Sequence, residues 1–147
     1  MTSEDKNIII EVSSKIGVDP NWLSALIRFE SGFNPTASNP NSSAKGLIQF
    51  IDSTARDLGF NDSADLVKEL PTFKEQMQFA VYPYLVQFAP YYTEQSLYMA
   101  VFYPKFRHVA PETVFPDSVQ RVNPGIVTVQ DYIDLVKKKT LKQPFPA

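Results

Sequence analysis

The stretch DPNWLSALIRFESG, residues 19–32, carries a well-marked helix and an acidic side chain out of place on it. Asp19 suits an N-cap, Pro20 falls at the first helical position where its missing amide costs nothing, and Gly32 suits the far end. Between them Trp22, Leu23, Leu26, Ile27 and Phe29 supply an apolar face, while Asn21, Ser24, Arg28 and Ser31 mark the wetter side. Glu30 follows Leu23 by seven residues, Leu26 by four and Ile27 by three, which puts its carboxyl on the apolar stripe. Burial disfavours the ionised form, so a glutamate there keeps its proton to higher pH than a solvated one. The same spacing permits a plainer arrangement, in which Glu30 ends a fraying last turn and faces water or pairs with Arg28 or Lys45.

On the N-terminal side, Ile8, Ile9, Val12 and Ile16 share one face and predict a helix over residues 4–16, with Ser3 as N-cap and Gly17 as stop. On the other side, FNPTASNPNSSAK (residues 33–45) has no apolar period and reads as an irregular surface connection. Residues 46–51 form a short apolar run, so the region 33–51 holds either a short β-ribbon or only loop. Asp52 or Ser53 can cap a short helix through Leu58, and Asp62 or Ser63 the next, through Leu66 to Leu70. Pro71 can open a longer helix through Phe73, Met77, Ala80, Val81 and Leu85, which Pro83 should kink. Thr93 can cap a helix carrying Leu97, Tyr98, Val101 and Phe102, ended by Pro104. Residues 108–125 hold three prolines and read as a long loop; Thr128 and Asp131 then open a last helix through Tyr132, Ile133, Leu135 and Val136. The class is mainly α, one domain over residues 1–147, with a loose tail from about residue 140.

Composition removes several function classes. A formal charge of −2 leaves no basic surplus for a phosphate backbone, so nucleic acid is not the expected partner. No cysteine means no disulfide, thiolate nucleophile or cysteine-held zinc, and His108, the only histidine, has no companion at ligand spacing, so neither metal nor cofactor is expected. There is no Gly-rich phosphate loop and no Gly-x-Ser-x-Gly elbow. Residues 8–10 are too short for a signal-peptide core, and no apolar run approaches a membrane span, so a substrate outside the cytoplasm would require another delivery route.

The segments ESGFNPTA (30–37), GLIQF (46–50) and STA (53–55) occur in an order that resembles the lytic transglycosylases of the goose-type lysozyme superfamily over residues 25–59. That family shows a helical Glu-Ser, then Asn-Pro-x-Ala, Gly-Leu-Met-Gln and Thr-Ala. The resemblance implies a lysozyme-like fold and the glycan strands of peptidoglycan as partner. It further implies that Glu30 is the catalytic acid and base, with Ser31 beside it orienting the sugar or the reacting hydroxyl. Gln49, Ile48 and Phe50 would line the glycan groove, Ile48 standing where the family has methionine. Asn34 more naturally fixes the turn after the helix. Cellular members carry Ala-Tyr-Asn-Ala-Gly near the active site, whereas residues 99–105 here read MAVFYPK, so the family's tyrosine near the glutamate would have to be Tyr98 or Tyr103. This departure looks more like the versions found in bacteriophage virion proteins and endolysins, acting as a monomeric domain or within a virion.

A hydrolytic glycosidase usually needs two carboxyls, whereas a transglycosylase of this kind needs one. Asp52 and Asp57 are the nearest candidates for a second, although Asp52 fits an N-cap better. Lytic transglycosylation is thus the leading expectation, with muramidase hydrolysis and a non-catalytic glycan-binding module as alternatives. Of the aromatics Tyr82, Tyr84, Tyr91, Tyr92, Phe102 and Tyr103, most should be core and one or two should reach the groove.

Overall fold

Thr2 rather than Ser3 begins the first helix: its hydroxyl accepts from the Asp5 amide while the Asp5 carboxylate accepts from the Thr2 amide, so α1 runs Ser3–Ile16 and stops at Gly17. A computed structural model describes residues 1–140; the remainder of the tail expected to be loose lies outside the described residues. In α2 (Pro20–Ser31) the cap is Asp19, whose carboxylate accepts from the Asn21 amide, and Gly32 closes the helix in the left-handed region.

Helix α2 is the centre of the molecule. It packs against α1, against α7 (Glu94–Phe102) and against α9 (Val129–Thr140). Leu23, Leu26 and Ile27 are wholly buried, each contributing about 2 kcal/mol of transfer free energy. Ser24, expected on the wet side, is buried as well, because neighbours cover α2 on more than one face.

The connection from residue 32 to residue 51 forms no named strand. It is stitched by isolated antiparallel bridges, Ser38 to Lys45 and Lys45 to Phe50, so the ribbon expected near 46–51 reduces to single pairings. Helix α3 (Asp52–Asp57) begins at Ile51, not at an Asp52 cap. Asp52 instead accepts from the amide and hydroxyl of Ser63, at 3.0 and 2.9 Å, and so joins α3 to the start of α4 (Ser63–Glu69), which Asp62 caps.

The kink expected at Pro83 takes another form. Between α5 (Phe73–Gln76) and α6 (Tyr82–Val86) lies a wide π turn, Met77–Val81, whose last carbonyl link runs from the Tyr82 amide back to Met77. The wider turn absorbs an extra residue and relieves the clash a proline ring makes with the carbonyl four residues earlier. Residues 104–106 continue from α7 as a single 3₁₀ turn, and residues 117–122, expected within a loop, form the short helix α8 (Asp117–Val122). Thr128 and Asp131 exchange the capping-box bonds expected at the start of α9. Among the described residues no helix is long and apolar enough to cross a membrane.

Gly32 holds φ at 60°, where an L side chain is strained although nothing crowds the space a Cβ would take. Gly32→Ala should therefore lower unfolding free energy by about 1–2 kcal/mol, read from the urea midpoint; an unchanged midpoint would show that the turn can relax.

Candidate active site

Glu30 ends α2 on its apolar side, and its carboxyl lies against the facing helix rather than in water. Tyr132, wholly enclosed on α9, donates its phenolic hydrogen to Glu30 Oε1 at 2.7 Å. The Tyr132 ring is itself fixed: Phe102 stacks on it at 4.3 Å between centroids and Phe29 meets it edge-on at 5.5 Å. Neither suggested cation pairs with Glu30, since Lys45 bonds the Ser38 hydroxyl and the Arg28 guanidinium lies over the Phe33 ring. Burial pushes the Glu30 pKa up from its ordinary 4.5 to about 7, the Tyr132 hydrogen bond opposing that rise. The side chain nonetheless keeps partial exposure on one side, where it borders a cleft of about 400 Å³.

The cleft has two unlike walls. One is the irregular connection, contributing Asn39, Ser42, Ala44 and Ile48 to Ile51, with Thr54 from α3. The other comes from helix ends: Tyr84 on α6, Val101 and Phe102 on α7, then Pro104 and, beyond α8, Asn123. Among the described residues Glu30 is the only acidic one on either wall. Asp52 is turned instead to Ser63, whose two hydrogen bonds hold its carboxyl below the usual range.

Ile48, Gln49 and Phe50 thus stand together with Glu30 at the cleft. Gln49 occupies the left-handed region at φ 60°, and its Nε2 donates to the Gly46 carbonyl at 3.0 Å and the Ala37 carbonyl at 3.4 Å. Its amide oxygen accepts no bond from the described residues. Ser31 is adjacent in sequence but off the walls: its hydroxyl donates to the Ile27 carbonyl at 3.0 Å, within its own helix. Tyr98 is 1% exposed in the core of α7, and Tyr103 packs its ring against Phe106 and Phe115, so neither lines the cleft. The tyrosine at the glutamate is Tyr132. Its position on the inner face of the last helix was readable, but nothing local tied it to a residue 102 positions earlier. Of the six aromatics considered for sugar stacking, Tyr84 and Phe102 reach the cleft. Asn123, Asn39 and Ser42 were not anticipated, being polar loop or cap residues without a distinguishing pattern, and Thr54, part of the Thr-Ala match, was not assigned to the groove.

The helical fold and this cleft define a lysozyme-like glycosidase domain. The family described as Transglycosylase SLT domain matches residues 7–84, just over half of the chain, and the protein belongs to that family. Membership carries peptidoglycan as substrate and lytic transglycosylation as the general activity. The matched residues hold Glu30 and the whole loop wall, while Phe102 and Tyr132 come from beyond them.

Two measurements follow from the Glu30–Tyr132 pair. Because the tyrosine bond lowers the Glu30 pKa, Tyr132→Phe should move the alkaline limb of kcat/KM to higher pH and reduce kcat about tenfold or more; an unmoved limb would disconnect Tyr132 from the titration. Stability should also respond. As pH rises from 4.5 through 7 the unfolded glutamate ionises before the buried one, so the folded state loses up to about 3 kcal/mol. Glu30→Gln should thus melt well above the parent at pH 8, and that advantage should vanish by pH 4. An equal difference at both pH values would mean that Glu30 does not titrate as its burial demands.

Proposed function

We propose that Glu30 cleaves the β-1,4 bond between N-acetylmuramic acid and N-acetylglucosamine by acting first as acid and then as base. The carrying observation is a carboxyl at the cleft with its pKa pushed to about 7 and, among the described residues, no second acid on either wall. With the tyrosine hydroxyl on Oε1, the proton belongs on Oε2, the oxygen left for the bridging oxygen of the glycan. Proton transfer lets the bond from the muramoyl C1 to that oxygen break, and the substrate's own 2-acetamido oxygen stabilises the cationic carbon. Glu30, now ionised and still held by Tyr132, takes the proton of the muramoyl C6 hydroxyl. Oxygen 6 then bonds to C1, giving a 1,6-anhydromuramoyl end, and no water is consumed.

Hydrolysis by the same residue would need a positioned water and usually a second carboxyl to activate it. Asp52 does not fill that role while its Oδ1 is engaged by Ser63. Ile48, Gln49 and Phe50 would form the glycan-facing wall, with Tyr84 and Phe102 opposite offering apolar ring surface to sugar faces. Ser31 would act through the helix end it fastens rather than on the sugar.

Digestion of purified peptidoglycan followed by mass spectrometry tests the reading. Released muropeptides should be one water lighter than hydrolytic ones and resist borohydride reduction. Reducible ends throughout would make the protein a muramidase instead. Glu30→Gln should abolish release while the protein stays folded and binds walls; release at the parental rate would overturn the assignment of Glu30.

A further inference from the structure

We infer that Gln76 is a positioning residue for the glycan cleft, holding the turn of residues 46–50 in place without touching substrate. Gln76 ends α5 at 0% exposure, an unusual place for a primary amide. Its Oε1 accepts from the Leu47 amide at 2.8 Å, and its Nε2 donates to the Pro35 carbonyl at 2.6 Å and the Leu70 carbonyl at 3.0 Å. One side chain therefore joins the start of the irregular connection, its end, and the end of α4. Only an amide supplies an acceptor and two donors there: methionine offers no comparable bonds and glutamate reverses the sign of two contacts.

The turn it holds is the one that needs holding. Gly46 stands at φ 87°, and a Cβ on it would lie 2.6 Å from the Gln76 oxygen, so the close approach itself selects glycine. Gln49 is kept in the left-handed region, a conformation that persists only where surroundings over-determine it. Leu47, bonded to Gln76, directly precedes Ile48, Gln49 and Phe50, the apolar and amide groups on the loop wall. The π turn completes the arrangement. Gln76 and Leu85 are nine residues apart and would face opposite sides of a regular helix at about 100° per residue. The wide turn lies between them, and both are fully buried.

The inference rests on the cleft being the glycan site, and its test separates the two. On soluble glycan strands, Gln76→Met should raise KM about tenfold while lowering kcat less than about threefold, with the alkaline limb unmoved because Glu30 and Tyr132 are untouched. Ile9→Ala, a buried truncation in α1 that does not line the cleft, supplies a thermally weakened control whose KM should match the parent. A Gln76→Met KM within twofold of the parent, an equal rise in the Ile9→Ala control, or a shifted limb would each overturn the proposal. Should Gln76→Met fail to fold, Gly46→Ala, which keeps the amide and displaces its oxygen, is read by the same criteria. In the parent, the Leu47 amide should exchange with solvent far more slowly than that of Ser43, and fast exchange would likewise overturn it. An inactive Glu30→Gln beside an unaffected Gln76→Met would sink this inference alone, whereas an active Glu30→Gln would sink the reading of the cleft.

Discussion

The hydrogen bond from Tyr132 to Glu30 sets two opposing demands on one carboxyl, and the packing around it reconciles them. Withdrawal from water raises the pKa to about 7; the phenol donates to the ionised form and limits that rise. Either influence alone would suit a single proton transfer. Together they leave the carboxyl near the middle of the pH range in which the proposed mechanism has it both give and accept a proton. The bond also fixes geometry. A free glutamate at a helix end samples several rotamers, but this one is tied to a ring clamped by Phe29 and Phe102, so the carboxyl has one place to be.

That clamp explains why α9 matters to a site whose acid sits on α2. The two helices pack directly, and α7 contacts both, so the three elements form a rigid frame behind the carboxyl. The opposite wall has no such frame, being built on loop from residue 32 to residue 51. Its order comes from the burial of Leu47, Ile48 and Phe50 in the core and from polar fastening: Ser43 accepts from the Asp52 amide at 3.1 Å, Ser63 donates to Asp52 and to the Ser43 carbonyl, and Gln76 engages Leu47 and Pro35. The cleft therefore joins a helix-framed side, which carries the acid, to a loop side whose buried apolar residues are held by added hydrogen bonds.

Features encoded by neighbouring residues were readable from sequence, and features depending on distant ones were not. Asp19, Pro20 and Gly32 mark the limits of α2 within one or two residues of the groups they satisfy, so its extent follows from spacing, whereas spacing left open whether Glu30 faces inward or water, which the Tyr132 contact decides. Thr93 and the Thr128–Asp131 pair behave likewise. Asp52 misled because its cap chemistry is real but spent on Ser63, eleven residues away. Pro83 was expected to kink its helix, and a π turn just before it accommodates the ring. The short helix at residues 117–122 was hidden by the prolines flanking it. Tyr132 shows the limit most clearly: its periodicity places it in the core, and only the folded chain reveals that the core at that point contains the carboxyl.

A single residue that moves a proton both ways is most effective when neither protonation state is strongly preferred, because each transfer then starts from a populated form. In the proposed mechanism, strong burial without Tyr132 would hold Glu30 neutral, favouring donation to the glycosidic oxygen but leaving an unstable carboxylate after bond cleavage. Full solvation would stabilise the carboxylate but leave little acid at neutral pH to begin. The arrangement seen here lies between these extremes, with a neutral donor touching the one oxygen that need not exchange a proton. On the proposed route no partner residue has to be protonated in step with Glu30, so the two transfers would be linked only through the substrate. A glycan whose own hydroxyl and acetamide supply the remaining chemistry is the substrate class for which such a site is sufficient.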